Sequence, residues 1–278
     1  MKLATLRLAG RTQAVRVDAD IATELDAPDV GTLLEQDDWR ERAATATGRR
    51  HDLSAAEPAP LVTRPGKIVC VGLNYRTHIL EMGRDLPTHP TLFAKYTDAL
   101  IGAHDAIHHP AETDALDWEA ELGVVIGASV RRADEQQAAA AIAGFTVVND
   151  VTCRDWQFRT REWLQGKTWE HTTPVGPVLV TPDELPGGVR PVVAITCSVD
   201  QQMMQADTTG DLVFDPVALV QYVSTMVRLA PGDLIATGTP GGVGHARTPS
   251  LRLQPGHRVI TEIEGIGRLD NLVVTEPR

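Results

Sequence analysis

Residues 117–127 alternate two kinds of side chain, and that alternation narrows what the chain can become. Trp118, Ala120, Leu122 and Val124 fall on one parity, and Asp117, Glu119 and Glu121 on the other, the period of a half-buried strand. Residues two apart on a strand share a face, so Glu119 and Glu121 stand side by side. Carboxylates at that separation repel one another unless a cation lies between them. A solvated strand face and a divalent metal site both answer this. The neighbouring sequence supports the metal. Residues 144–149 form a second apolar run that reads as a strand, Asp150 closes it, and Arg154, Gln157 and Lys167 follow. An all-oxygen set of Glu119, Glu121 and Asp150, with no His or Cys among the ligands, favours a hard ion, Mg²⁺ or Mn²⁺, over Zn²⁺.

A chain of 278 residues with 42% hydrophobic content can bury a sizeable core, and 4% aromatic content means that aliphatic side chains must fill it. The net charge of −11 argues against nucleic acid and anionic membrane surfaces as partners. It also means that an anionic substrate needs a local cationic site. Cys70, Cys153 and Cys197 are widely spaced and odd in number, which fits reduced thiols rather than a disulfide frame. The first residues lack the apolar core of a signal peptide, and no run approaches the ~20 apolar residues of a membrane span. A soluble cytoplasmic protein is expected.

Residues 1–60 are expected to form a small N-terminal unit, and residues 61–278 the catalytic one, with the Pro-rich stretch 55–60 as linker. In the first unit, a hairpin is predicted around Ala9-Gly10-Arg11 and one helix over residues 29–42. The second opens with a buried strand within residues 67–75. A helix over residues 76–83 then places His78 and Glu81 at i and i+3, as a surface pair or as a dyad in which the carboxylate orients the imidazole. Gly83, Pro87 and Pro90 end that helix in a loop. His104, His108 and His109 cluster in a Pro-bounded stretch, a weak metal pattern. Residues 131–143 read as an Ala-rich helix, and a helical turn from Asp150 would set Arg154 and Gln157 on one side. Beyond Pro177 the pattern is β-rich, with a helix over residues 216–225 capped by Asp215. Residues 237–244 are Gly-rich and lack the Lys of a phosphate loop, so they form either a tight turn or a cradle of N–H groups and a Thr hydroxyl for a carboxylate.

Five motifs together resemble the fumarylacetoacetate hydrolase family. They are Val71-Gly72-Leu73-Asn74-Tyr75 with His78 and Glu81; Asp117-Trp118-Glu119-Ala120-Glu121-Leu122; Asn149-Asp150 through Arg154 and Gln157; Gly166-Lys167 with Pro174-Val175-Gly176-Pro177; and Thr237-Gly238-Thr239-Pro240-Gly241-Gly242-Val243-Gly244. The resemblance spans roughly residues 64–278. It implies a β-rich α+β protein, a mixed β-roll C-terminal domain with a small N-terminal α+β domain, assembled as a homodimer. It places metal carboxylates on Glu119, Glu121 and Asp150, a catalytic His and Glu on His78 and Glu81 within a lid, and substrate-holding groups on Arg154, Gln157, Lys167 and Thr239. The family's Lys-Ser-Phe-Asp is here Lys167-Thr168-Trp169-Glu170. A 2-oxo acid would chelate the metal, Lys167 would sit beside the developing oxyanion, and His78 would activate water. The expected reaction is hydrolysis of an acylpyruvate, such as fumarylpyruvate, to pyruvate and a carboxylic acid. Oxaloacetate decarboxylation and dienoate isomerisation are the alternatives, and a non-catalytic binding protein on the same fold is a third.

Overall fold

The computed structural model describes residues 1–277 apart from Met82, and the side chain of Glu81 also lies outside the described set. Its centre is the strand Ala120–Ile126, which pairs antiparallel with Ile142–Asn149 on one side and Leu234–Ala236 on the other. Every residue of Ala120–Ile126 and of Ile142–Asn149 is buried. The half-buried strand expected from the alternation is therefore corrected to one buried on both faces. The physical reason is long-range packing. One face meets a large apolar cluster that includes Leu122, Val124, Phe145 and Val147. The other meets a second cluster that includes Val125, Ala143, Val148 and Leu179.

Around this centre the larger sheet runs, strand by strand, Arg50–Asp52, Ile21–Glu24, Arg11–Asp18, Lys2–Leu8, Thr173–Val180, Ile142–Asn149, Ala120–Ile126, Leu234–Ala236, Ile68–Gly72 and Thr91–Lys95. The pair Leu234–Ala236 and Ile68–Gly72 is parallel and the other neighbours are antiparallel. A second sheet orders Gln202–Thr208, Ala194–Val199, Arg258–Ile263, Gly267–Thr275 and Ile107–His109. Its Ile195, Cys197, Val259 and Leu269 share the first cluster with Leu122 and Phe145, so the two sheets pack through their aliphatic faces. The chain is a β-rich α+β protein with mixed sheets and few helices, as the sequence predicts. No helix among the described residues is long and apolar enough to cross a membrane.

The hairpin at Ala9-Gly10 forms, and Lys2–Leu8 extends the same sheet by pairing Leu3 with Leu179. The single helix predicted over residues 29–42 is instead two, Val30–Leu34 and Trp39–Thr45. Asp29 caps the first by accepting from Thr32 N at 2.7 Å. The acids Asp37 and Asp38 separate the two, in a stretch where short polar side chains favour turns and caps over helix interior. The later helices match better. Pro216–Met226 is capped by Asp215, which accepts from Ala218 N at 2.9 Å. The Ala-rich segment is helical over Glu135–Ala141.

Candidate active site

Glu119 precedes the central strand and Glu121 is its second residue, so the period-2 geometry turns both the same way. Two cross-strand links hold the neighbouring strand in step: Asn149 Oδ1 accepts from Glu119 N at 2.9 Å, and Asp150 N donates to Glu119 O at 2.9 Å. The result brings carboxylate oxygens of Glu119, Glu121 and Asp150 within 4.8 Å of one another. All three residues are buried, Glu121 at 1% and Asp150 at 0% exposure, which excludes the solvated face.

Buried charge at this density needs compensation. Lys167 Nζ lies 2.7 Å from both Glu119 and Asp150, and Lys95 Nζ lies 2.5 Å from Asp150. Arg154 binds Glu119 at 2.7 Å and Asp117 at 2.8 Å. Four buried carboxylates thus face three buried cations. Among the described residues Glu121 is the one of the four without an ion pair; there it accepts only the N–H of Gly238, at 2.9 Å. Burial, followed by the charges of Asp150 and Glu119, pushes the Glu121 carboxyl well above the usual range. Burial would raise Asp150 too, but Lys167 and Lys95 outweigh it and hold that carboxyl low. Lys167 is raised in turn, because Asp150 and Glu119 overcome the desolvation of its ammonium. An oxygen-only donor set with one uncompensated carboxylate fits a hard divalent cation.

A cavity of about 450 Å³ opens on this cluster. Its walls include His78, Glu119, Glu121, Arg154, Gln157, Lys167 and Thr239, so the residues singled out in the sequence converge on one space. Asp150 joins from behind through the carboxylate group, while the side chain of Glu81 lies outside the described residues. The turn expected from Asp150 is helical only over Arg154–Gln157, where Arg154 Nη1 donates to Gln157 Oε1 at 3.0 Å. Arg154 Nη2 is buried without a partner among the described residues, a donor left for a ligand. The short helix Leu164–Lys167 packs so closely that a Cβ on Gly166 would stand 2.5 Å from Cys153 O and Gln157 N; Gly166 is what lets Lys167 reach the carboxylates.

The Gly-rich loop serves the same centre. Gly238 has φ +101°, and a Cβ there would lie 2.9 Å from Val71 O, so only glycine brings its N–H to Glu121. Thr239 Oγ1 accepts from Gln205 Nε2 at 2.8 Å, which leaves its own O–H free to donate. His78 sits on the helix Arg76–Glu81, reached through the tight turn after Ile68–Gly72. The histidine cluster at 104–109 stands elsewhere: His108 packs at a tilt against His171 with ring centroids 4.8 Å apart, His109 is buried, and no three ligand atoms gather there among the described residues.

Several residues of the site were not singled out from sequence. Lys95 neutralises Asp150; Asp117 holds Arg154 and also accepts from Gly244 N at 2.7 Å and His245 N at 2.9 Å. Gln205 ties Ala120 N at 3.0 Å to Thr239. His245 lines the cavity against Phe158, with ring centroids 5.1 Å apart. Burial and then Arg154 lower its pKa. The acidic parity of Asp117 was the one available signal; the partners of the others lie far away in the chain.

This arrangement has counterparts among known proteins. Residues 67–274 match the family model for the fumarylacetoacetate (FAA) hydrolase C-terminal domain. The chain belongs to the fumarylacetoacetate hydrolase family, an enzyme family with hydrolase, tautomerase and isomerase members. It is 42% identical over 216 residues to a mitochondrial oxaloacetate tautomerase of Rattus norvegicus, covering 77% of this chain and 68% of that protein. A human mitochondrial oxaloacetate tautomerase is likewise 42% identical over 217 residues, with the same coverage. Among solved structures, a fumarylacetoacetate hydrolase from Exiguobacterium antarcticum superposes with a TM-score of 0.89 at 30% identity, covering 99% of this chain and 100% of that one.

Proposed function

We propose that this protein enolises a small 2-oxo acid with the help of a divalent cation, and that interconversion of the keto and enol forms of oxaloacetate is its reaction. The observation that carries this reading is the buried triad Glu119, Glu121 and Asp150, with one carboxylate uncompensated, beside Lys167 and Arg154 in a single cavity. The similarity to proteins named as oxaloacetate tautomerases supports tautomerisation ahead of the acylpyruvate hydrolysis expected from sequence. Mg²⁺ or Mn²⁺, held by the triad, supplies when bound the positive charge that polarises a 2-oxo carbonyl.

The chain's own groups do the rest. Arg154, through Nη2, and Gln157 hold the substrate carboxylate, and the Thr239 hydroxyl donates to the same unit. Lys167 presents its ammonium to the oxygen that gains charge as the enol forms. His78 removes a proton from C3 and returns it to oxygen, so the proton inventory is unchanged over the cycle. The apolar walls Val71, Leu73, Phe93 and Val243 restrict water.

One observation keeps hydrolysis of an acylpyruvate as a second reading. His78 lines the cavity with Glu81 three residues later on the same helix, the spacing of a water-activating dyad. The purified protein with Mg²⁺ should speed decay of the enol absorbance of oxaloacetate without releasing pyruvate. Pyruvate from acetylpyruvate or fumarylpyruvate would establish the hydrolase instead, pyruvate from oxaloacetate alone a decarboxylase, and inertness on all three would remove the proposal. We further propose a homodimer, checked by light scattering on the intact chain.

A further inference from the structure

Three cationic side chains, Arg84, Arg154 and Lys167, line the active-site cavity. Two of them already carry ion pairs. Arg154 is held by Asp117 and Glu119, and Lys167 by Glu119 and Asp150. Arg84 enters no ion pair among the described residues, although the chain carries an excess of eleven acidic charges (net −11) that could have supplied one. Its backbone N–H bonds Ile79 O at 3.2 Å, tying Arg84 to the helix Arg76–Glu81 that brings His78 to the same cavity. An uncommitted guanidinium facing the cavity is a receptor for a planar anion, because its fork matches a carboxylate in two parallel hydrogen bonds.

The position of the other cations says which anion this is. The inner end of the cavity, at Glu119, Glu121, Arg154 and Lys167, is fitted to the 2-oxo acid unit itself. Its volume of about 450 Å³ lies within the usual ~300–1,000 Å³ of small-molecule sites and leaves room beyond that unit. Phe93, Phe158 and Trp163 also line the cavity and offer no charge. Arg84 is exposed whereas Arg154 and Lys167 are buried, so the cation without an ion pair among the described residues stands on the solvent side of that inner unit.

We propose that Arg84 receives the distal carboxylate of the substrate and makes the site selective for dianionic over monoanionic 2-oxo acids. This deepens the function proposed above and rests on it for the identity of the inner unit. The test uses the Mg²⁺-loaded full chain and two readouts. The first is the ratio of kcat/KM for oxaloacetate to that for the monoanion acetylpyruvate. The second is the ratio of affinities for 2-oxoglutarate and pyruvate, read by quenching of Trp163, which lines the cavity.

In Arg84→Gln both ratios are expected to fall roughly 10- to 100-fold, the cost of one charge-assisted carboxylate contact, and Arg84→Lys should restore part of the loss. Arg84 is exposed, so both variants should fold, which circular dichroism would check. Ratios within twofold of the wild-type values in Arg84→Gln would overturn the proposal, as would a wild-type protein that binds 2-oxoglutarate no better than pyruvate. If the wild-type protein turns over no 2-oxo acid, the function proposed above fails. The binding ratio then still decides the role of Arg84.

Discussion

Two buried carboxylates show how differently one chain treats the same chemical group. Asp29, 3% exposed, lies under the N-terminal strands. It accepts from Thr32 N at 2.7 Å, Thr63 N at 2.8 Å and the Thr63 hydroxyl. Glu121, 1% exposed, has among the described residues a single backbone N–H at 2.9 Å and two other carboxylates for neighbours. Burial favours the neutral acid in both cases. At Asp29 the hydrogen bonds of Thr63 and Thr32 outweigh burial and hold the pKa below 3.8. At Glu121 burial wins, reinforced by Asp150 and Glu119. A carboxylate that serves the fold finds its partners within the chain. One left without them is kept for a ligand from outside.

That contrast can be broken most directly at Glu121. Glu121→Gln removes a ligand and a like-charge repulsion together. Turnover with Mg²⁺ should fall roughly 10³-fold or more, the value of several kcal/mol of lost charge stabilisation. The thermal midpoint of the metal-free protein should hold or rise. A lower midpoint with retained turnover would assign Glu121 to the fold. Lys167→Met is expected next, with kcat reduced roughly 10²–10³-fold, measured by steady-state kinetics. Because Lys167 also neutralises Glu119 and Asp150, this variant should lose stability as well, so it blurs the contrast where Glu121→Gln sharpens it.

Chelation asks the same question without mutation. Removing the ion with EDTA should abolish turnover, and calorimetry at metal about 100-fold above Kd should show a stabilisation of about 2.7 kcal/mol, roughly 5–10 °C. An unchanged midpoint with no metal by elemental analysis would contradict the cation site. The smallest effect belongs to Asp29→Ala, about 1 kcal/mol of stability for a lost helix cap, with KM unaffected. The folded pKa of Asp29 is depressed, so its contribution is complete above the unfolded value near 3.8 and is lost as pH falls through the folded value. The stability gap between wild type and Asp29→Ala, followed by denaturant titration, should therefore close below about pH 3.8 and stay open above it.

Much of the site was legible because its logic is local. The pairing of Glu119 with Glu121 follows from a period of two, and His78 with Glu81 from a helical turn. Asp150 was marked by its place at the end of an apolar run. The supporting partners Lys95, Asp117 and Gln205 were not legible as such for the opposite reason. Lys95 meets Asp150 across 55 residues, Asp117 meets His245 across 128, and Gln205 meets Ala120 across 85. No local pattern encodes such a meeting.

The sequence by itself determined the strands, their alternating acids, the glycine that brings Lys167 within reach, and the family to which these belong. Tertiary structure alone decided that the acidic face is buried rather than solvated, because both neighbours of the central strand and a second sheet close over it. Periodicity records which side chains share a face. What covers that face depends on elements far away in the chain, and coverage sets the dielectric in which three of the four carboxylates hold cations and Glu121 is left without a counter-ion among the described residues.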